Sequence, residues 1–146
     1  ALVGAGTVLT PDQVDAVQQA GGRLIISPNS NLSVIARSAE AGLISMPGYF
    51  TPTEAFAAVQ AGASALKLFP AEAATPTVLK AQRAVLPKEL PVLAGGGINP
   101  GNRGPWVAAG ADGFGLGSAL YKPGATVAQV REAAQAFLQG WKAATD

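Results

Sequence analysis

The sequence predicts an α/β protein built on a parallel sheet, and two regularities indicate this class. An Ala-Gly pair follows a helical pattern and precedes an apolar run at intervals of 21, 20 and 48 residues, in Ala20-Gly21, Ala41-Gly42, Ala61-Gly62 and Ala109-Gly110. The apolar runs are nearly continuous, as in a sheet whose two faces are both covered by helices. Six strand-helix units of roughly 24 residues fit such a pattern. We therefore expect a single domain over residues 1-146.

Six strands are predicted from the apolar runs, at residues 2–5, 24–27, 43–46, 64–69, 92–94 and 113–116. Two of the helices between them begin with capping signals. Thr10 precedes Pro11, and Thr51 precedes Pro52 with Glu54 completing a capping box. The glycines of the Ala-Gly pairs are expected to end helices as C-terminal caps.

The last helix is predicted over residues 126–143. Its buried face is expected to carry five apolar side chains at helical spacing, namely Val127, Val130, Ala134, Phe137 and Trp141. Residues 99–105 hold two glycines and two prolines, so this stretch is the least suited to regular structure.

Composition excludes several function classes. The net charge is +1 with scattered Lys and Arg, which offers no basic face for nucleic acid or for an anionic membrane surface. Without histidine or cysteine, the usual zinc sites, thiol nucleophiles, histidine triads and disulfides are excluded. The start of the chain lacks a basic region of the kind that opens signal peptides, so a cytoplasmic protein is expected. Chemistry must use lysine, carboxylate, hydroxyl or backbone groups.

Lys67 is an unusual residue for a strand, because it stands inside the apolar run 65–70. Alternation places Leu66 and Leu68 on one face, against helices. It places Ala65, Lys67 and Phe69 on the other face, towards a barrel interior. Burial lowers the pKa of a lysine and yields the free amine that attacks carbonyl carbon. A lysine that merely extends from a strand end to solvent fits this alternation less well.

Two architectures share the strand-helix alternation, a closed (β/α)8 barrel and an open doubly wound sheet. No dinucleotide-binding Gly-x-Gly-x-x-Gly pattern follows the first strand. Instead, glycines close the last two strands, in Gly95-Gly96-Gly97 and again in Gly117-Ser118. In barrel enzymes these two loops bind phosphate through backbone N–H groups. Tight turns alone do not require three consecutive glycines, so the pattern favours a barrel with a phosphate site.

Six strand-end motifs occur in the order and spacing of one enzyme family. They are Gly4-Ala5-Gly6-Thr7-Val8-Leu9, Ser27-Pro28-Asn29, Met46-Pro47-Gly48, Leu66-Lys67-Leu68-Phe69-Pro70-Ala71, Gly95-Gly96-Gly97-Ile98 and Gly115-Leu116-Gly117-Ser118. Together they resemble the class I 2-keto-3-deoxy-6-phosphogluconate/6-phosphogalactonate aldolases over essentially the whole chain. The resemblance implies an α/β fold of the (β/α)8 TIM-barrel type, with only strands 3-8 and their helices present in this chain.

The resemblance also implies a reaction. The family cleaves a phosphorylated keto-sugar acid to pyruvate and glyceraldehyde 3-phosphate through a lysine Schiff base. Lys67 matches that lysine, and Phe69 matches the ring packed beside the imine. Thr7 matches the threonine that contacts the substrate carboxylate, and Pro28 matches the proline at the next strand end. The phosphate cradle corresponds to Gly96, Gly97, Gly117 and Ser118. Because the iminium itself is the electron sink, no metal or other cofactor is expected.

Position 95 bears on the choice between the two epimeric substrates. The family carries threonine there in phosphogluconate enzymes and valine in phosphogalactonate enzymes, in contact with the substrate near C4. Gly95 offers neither group, so relaxed selectivity at C4 is expected. The surroundings of Trp106 and the segment 117–121 resemble the phosphogalactonate branch.

The resemblance also implies what this sequence lacks. The family begins with two further βα units, which carry an arginine for the substrate carboxylate and a glutamate that shuttles protons. Glu54 is expected to be a capping residue, whereas Glu72 lies just past the lysine strand and is considered as a replacement. A strand-like start without Met indicates truncation. Six strands leave two apolar edges, which a longer polypeptide, a second chain or further copies would cover. The family implies a homotrimer.

Three functions remain open from the sequence. The first is the aldolase, with Lys67 as the covalent nucleophile. The second is a phosphate-binding barrel enzyme of other chemistry, in which Lys67 acts only as a cation. The third is a non-catalytic half-barrel that binds phosphate or a partner without turnover. Reductive trapping of pyruvate on Lys67 separates the first from the second, and cleavage of the phosphosugar separates the first from the third.

Overall fold

The computed structural model describes residues 1–145, and their side chains through residue 139. Within this part the chain forms seven strands, six α-helices and one short 3-10 helix. The strands are β1 (Gly4–Ala5), β2 (Leu24–Ile26), β3 (Ile44–Met46), β4 (Gly48–Tyr49), β5 (Leu66–Leu68), β6 (Val92–Gly95) and β7 (Gly113–Gly115). The helices are α1 (Pro11–Gln19), α2 (Leu32–Glu40), α3 (Pro52–Gln60), α4 (Pro76–Arg83), α5 (Gly104–Ala108) and α6 (Val127–Thr145), and the 3-10 helix is Ala71–Ala73.

The strands pair in chain order, and every pair is parallel. One sheet has the order β1-β2-β3 and the other β4-β5-β6-β7. Pro47 separates β3 from β4, because proline has no N–H for the ladder. Hydrogen bonds nevertheless bridge the break: the Lys67 N–H donates to the Pro47 carbonyl at 2.9 Å, and the Ser64 N–H donates to the Ser45 carbonyl at 2.9 Å. The two sheets therefore form one arc of parallel strands, and the predicted α/β class is confirmed.

All six predicted strands are present: five are shorter than the predicted runs, and β6 extends one residue further, to Gly95. The sequence prediction missed β4, because Pro47 marks the end of a strand in most patterns. The chain resumes pairing after this proline, with Gly48 opposite Lys67 and Tyr49 opposite Leu68. This short strand carries the arc from β3 to the strand that holds Lys67.

The predicted helix ends are confirmed at most positions. The Thr10 side chain caps α1, and Thr51 and Glu54 form the reciprocal capping box of α3. The glycines of the four Ala-Gly pairs all have positive φ, between 67° for Gly42 and 98° for Gly62. Only a residue without Cβ adopts this left-handed conformation at little cost, which explains the recurrence of glycine after each of these helices.

Two apolar cores lie between the sheet and the helices. The larger core packs β4 to β7 against α3, α4, α5 and Phe137 of α6. Leu66 and Leu68 are fully buried in it, as alternation along β5 predicted. The smaller core joins β2 to α1 and α2 through Val14, Ile25 and neighbouring residues. The arc therefore has one face covered by helices, while its concave face carries half-buried side chains.

The last helix differs from its prediction at the first position. Val127 was expected on the buried face, but it is 77% exposed. It is the first residue of α6, beside the Thr126 cap, where the helix projects beyond the core. Phe137 is buried as predicted, and Val130 and Ala134 are half-buried. Trp141 lies outside the residues whose side chains are described.

Within residues 1–145, no helix is both long enough and apolar enough to cross a membrane.

Candidate active site

Lys67 lies in the middle of β5, between two leucines that the core buries completely. Its own side chain points to the concave face of the arc. It lines a cavity of about 760 Å³ together with Phe69. The predicted alternation of faces along this strand is therefore confirmed. We call this space the main cavity.

The main cavity has an apolar wall and a polar end. The wall consists of half-buried side chains that project from the strands, namely Leu24, Ile26, Met46, Leu93 and Phe114. The polar end is formed by the loops that follow β6 and β7, with Asn99, Ser118 and Lys122 among the residues that line it. A ligand with an apolar or planar centre and one anionic end matches this division.

The environment of Lys67 favours its reactive form. Burial in the cavity wall lowers the pKa of the Lys67 ammonium below the ordinary lysine value of 10.5. The reason is that a partly dehydrated site disfavours the charged form. The Phe69 ring lies alongside, with its centroid 4.2 Å from Nζ. This contact fixes the end of a flexible side chain against a rigid aromatic face.

Two glycines lie behind Lys67, and the absence of a side chain at one of them, Gly95, allows the lysine to approach the sheet. A Cβ on Gly95 would stand 2.8 Å from Lys67 Cε, and a Cβ on Gly115 would stand 3.7 Å from the same atom. Gly95 is buried and does not line the main cavity, whereas Gly115 does. We call Gly95 and Gly115 the glycine groove. The methylene chain of Lys67 lies along this groove, which fixes the path of the amine into the cavity.

The four residues predicted to form a phosphate cradle lie together at the polar end. Gly96, Gly97, Gly117 and Ser118 all line the main cavity, and we call them the glycine cradle. Gly96 and Gly97 both have positive φ, 96° and 69°, so the chain turns sharply after β6. Among residues 1–145, the backbone N–H groups of Gly97, Gly117 and Ser118 make no turn, loop or cap hydrogen bond, whereas the Gly96 N–H faces β7 across the paired ends of β6 and β7. Free N–H groups in such a turn are suited to binding an anion.

An asparagine pair braces the loop of the cradle. The Asn102 side chain donates to the Gly97 carbonyl at 2.8 Å, and its oxygen accepts from the Asn99 N–H at 2.9 Å. The Asn99 side chain in turn accepts from the Gly101 N–H at 2.9 Å. Because the Asn102 side chain holds the Gly97 carbonyl, the conformation of Gly96 and Gly97 is fixed before any ligand binds. The sequence analysis assigned no role to these asparagines.

Thr7 and Pro28 stand apart from this group. They follow β1 and β2, so they lie at the same carboxyl edge of the arc, but neither lines the main cavity. Thr7 is exposed and has φ +58°, a conformation that non-glycine residues seldom adopt. Pro28 is half-buried, and its carbonyl packs against Gly48. The structure thus gathers Lys67, Phe69 and the glycine cradle, but not these two residues.

The carboxylates considered from the sequence occupy different places. Glu54 accepts hydrogen bonds from the N–H groups of Phe50 and Thr51 at 2.9 and 2.7 Å, and these bonds lower its pKa. It is a capping residue, as expected. Glu72 is exposed, and its Oε2 lies 2.9 Å from the position that a Cβ on Gly97 would take. Glu72 therefore stands at the rim of the cradle, and no carboxylate is among the described residues that line the main cavity.

Lys122 is a lining residue that the sequence analysis missed. It follows Ser118 by four positions, in the loop after β7. A lysine in an exposed loop resembles an ordinary solvated charge, so its sequence position alone gave little reason to select it. Its closeness to a predicted phosphate loop was the available signal.

Comparison with known proteins decides the family of this chain. Residues 1–134 match the sequence profile of the family described as KDPG and KHG aldolase. The chain belongs to this aldolase family. It is similar to the 2-dehydro-3-deoxy-6-phosphogalactonate aldolase of Escherichia coli strain K12, with 47% identity over 144 residues, 99% of this chain and 70% of that relative. The probable aldolase of the same description from Rhizobium meliloti strain 1021 is 50% identical over 142 residues, covering 97% of this chain and 67% of the relative.

The aldolase also matches solved structures. A native KDPGal structure superposes with a TM-score of 0.97 and 47% identity, and the match covers 99% of this chain and 70% of that chain. The resemblance seen in the sequence motifs is confirmed. The protein is accordingly a carbon-carbon lyase of the class I aldolase type.

Proposed function

We propose that this aldolase cleaves 2-dehydro-3-deoxy-6-phosphogalactonate to pyruvate and D-glyceraldehyde 3-phosphate, with Lys67 as the Schiff-base nucleophile. One observation carries the proposal: an amine whose pKa is lowered by burial shares a cavity with a cradle of free backbone N–H groups. The first group suits a keto carbon and the second suits a phosphate. The relatives from Escherichia coli and Rhizobium meliloti carry the name of this reaction.

The chemistry follows from the free amine. The Lys67 nitrogen attacks C2 of the keto acid, and loss of water from the carbinolamine gives an iminium. A base removes the proton of the C4 hydroxyl, the C3–C4 bond breaks, and its electron pair moves to the iminium to form an enamine. Glyceraldehyde 3-phosphate leaves with the new C4 carbonyl. The enamine takes a proton at C3, and water then releases pyruvate and restores the lysine. No metal or redox cofactor takes part in these steps.

Different residues of the site bind the two ends of the substrate. The glycine cradle holds the phosphoryl group, and Phe69 packs beside the imine. Thr7 donates its hydroxyl to the keto-acid carboxylate, and Pro28 borders the same region from the end of β2. Position 95 lies behind Lys67 rather than on the cavity wall and carries no side chain that could discriminate at C4, so the 6-phosphogluconate epimer is accepted as well.

The wider setting of the site is part of the proposal. The arc corresponds to strands 3-8 of a (β/α)8 barrel, and its half-buried apolar concave face supports this assignment. Two further βα units, from whatever source, supply the arginine for the carboxylate and the glutamate that shuttles protons. The assembly is a homotrimer, and the location is cytoplasmic.

Reductive trapping tests the nucleophile. Wild-type protein treated with pyruvate and borohydride should gain one reduced pyruvate on Lys67, identified by peptide mass spectrometry. Lys80→Met is the matched control, because Lys80 is an exposed lysine of α4 and should leave the adduct unchanged. Lys67→Met should abolish it. Because the pKa of Lys67 is lowered, the trapping rate should rise with pH and level off below 10.5. An adduct on another lysine, or none, would contradict the assignment.

A second candidate function has one observation in its favour. No carboxylate is among the described residues that line the main cavity, so the base that deprotonates the C4 hydroxyl is not evident. The chain would then form the imine with pyruvate and bind phosphate without cleaving the phosphosugar. Coupled detection of glyceraldehyde 3-phosphate from each epimer separates the two functions. Trapping without aldehyde release, even at high protein concentration, would favour the half-reaction.

A further inference from the structure

Lys122 occupies a junction between two hollows. It lines the main cavity and also a second hollow of about 390 Å³, which reaches Gln129 and Ala133 on α6. Ser118, a member of the glycine cradle, lines both hollows too. Lys122 therefore borders the main cavity at the end where the cradle lies.

The loop after β7 fixes the backbone of Lys122 relative to the cradle. The N–H groups of Leu120 and Tyr121 both donate to the Gly117 carbonyl, at 2.9 and 3.1 Å. The Lys122 carbonyl accepts from the Ala125 N–H at 3.0 Å. One hydrogen-bonded turn thus runs from Gly117 to Tyr121 and a second begins at Lys122, so the backbone of the lysine is held between two turns.

The positive charge of Lys122 is the property that distinguishes it among the residues around the cradle. Among the described residues that line the main cavity, Lys67 and Lys122 are the ones with ionisable side chains. Lys67 reacts as a neutral amine and is then committed to the imine. Lys122 forms no salt bridge with any residue in the described part of the chain. A phosphoryl group carries close to two negative charges at neutral pH, which neutral N–H groups only partly balance.

We propose that Lys122 binds the phosphoryl group of the substrate from the side of the cradle and selects phosphorylated over unphosphorylated keto acids. The proposal rests on the aldolase function stated above. Lys122 contributes a positive charge, whereas the backbone N–H groups of the glycine cradle orient the phosphoryl group. A charge-assisted contact of this kind is lost with the ammonium, so its removal should cost about tenfold in the preference for a phosphorylated substrate.

Kinetics with two substrates test the selectivity. Lys122→Met, Lys122→Arg and the surface control Lys80→Met are assayed with 2-dehydro-3-deoxy-6-phosphogalactonate and with its unphosphorylated counterpart. Lys122→Met should lower the ratio of the two kcat/KM values about tenfold, mainly through KM of the phosphorylated substrate. It should also weaken the dependence of that KM on salt. Lys122→Arg should restore both, and Lys80→Met should change neither. An equal loss for both substrates would overturn the proposal.

A binding experiment keeps the proposal testable if cleavage itself is not observed. Glycerol 3-phosphate serves as an unreactive probe of the cradle and is titrated by calorimetry into wild type and Lys122→Met. The wild-type protein should bind it about ten times more tightly than the variant. Equal affinities, or no binding by the wild type, would refute the role of Lys122. Slower trapping of pyruvate, which has no phosphate, by Lys122→Met would place Lys122 at the keto-acid carboxylate and would likewise overturn the proposal.

Discussion

Gly95→Ala is the substitution for which the structure gives the sharpest expectation. The three heavy atoms nearest to a Cβ at this position all belong to Lys67, at 2.8 Å for Cε, 3.5 Å for Cγ and 3.6 Å for Cδ. Ordinary contact begins near 3.4 Å, so Cε must move by about 0.6 Å. The backbone of Gly95 has no positive φ, and alanine fits it without strain. The substitution therefore displaces the lysine rather than the sheet.

The stability and the reactivity of this variant should separate. Replacing a strand glycine with alanine restricts the unfolded chain and stabilises by about 0.4–1 kcal/mol. Displacing the end of the Lys67 side chain offsets part of this stabilisation. The free energy of unfolding of the variant should therefore stay within about 1 kcal/mol of the wild-type value. A misplacement of 1 Å in a reacting group can cost about a hundredfold in rate, so a shift of this size should slow imine formation about tenfold.

Single-turnover trapping of pyruvate by borohydride measures the rate, and urea denaturation measures the stability. Gly115→Ala is the matched control, because its Cβ would meet Lys67 Cε at 3.7 Å, within ordinary contact. Its trapping rate should fall much less than that of Gly95→Ala. If Gly95→Ala traps pyruvate at the wild-type rate, or if both variants slow equally, the close approach of Lys67 to Gly95 does not position the amine.

Three further substitutions test the burial of the Lys67 charge and two hydrogen bonds that stabilise the fold. Lys67→Met should raise the free energy of unfolding at pH 7, because burial disfavours the ammonium that the variant removes. This increase in stability should shrink as the pH rises towards 10.5, where the lysine is neutral in the unfolded chain as well. Urea denaturation at several pH values measures it. Tyr49→Phe leaves buried Gln82 Oε1 without the donor 3.0 Å away and should destabilise by about 1–3 kcal/mol, measured likewise. Thr51→Ala removes the cap that pairs with Glu54 and should cost about 1 kcal/mol in thermal unfolding.

Much of the fold was predictable because it depends on local periodicity. The Ala-Gly repeat located the helix ends, since a helix followed by a strand needs a residue with positive φ at the turn. Alternation along β5 placed Lys67 opposite the two core leucines. The exposure of Val127 was not predictable in this way. Helical spacing identifies an apolar face, but it does not reveal how far the helix extends beyond the core that covers it.

The candidate site was predictable to the extent that backbone conformation determines it. The sharp turn after β6 was predictable because consecutive glycines signal a backbone conformation that other residues avoid. The asparagine brace at Asn99 and Asn102, and the lysine at 122, were missed because polar side chains in loops are ordinary. Thr7 was found only through family resemblance. Its place outside the main cavity depends on the spread of the arc, which a linear pattern does not encode.

The two apolar cores pack against different parts of the candidate site. Lys67, Phe69 and the glycine cradle belong to β5, β6, β7 and their loops, which share the larger core. Thr7 and Pro28 follow β1 and β2, which rest on the smaller core around Val14 and Ile25. Helix α2 contributes Val34 to the smaller core and Ile35 to the larger one, and hydrogen bonds across Pro47 and from the Ser30 hydroxyl to the Gly48 carbonyl also connect the two. The proposed nucleophile and the proposed phosphate cradle therefore belong to one packed half of the chain, whereas the proposed contact to the keto-acid carboxylate depends on how the other half is held against it.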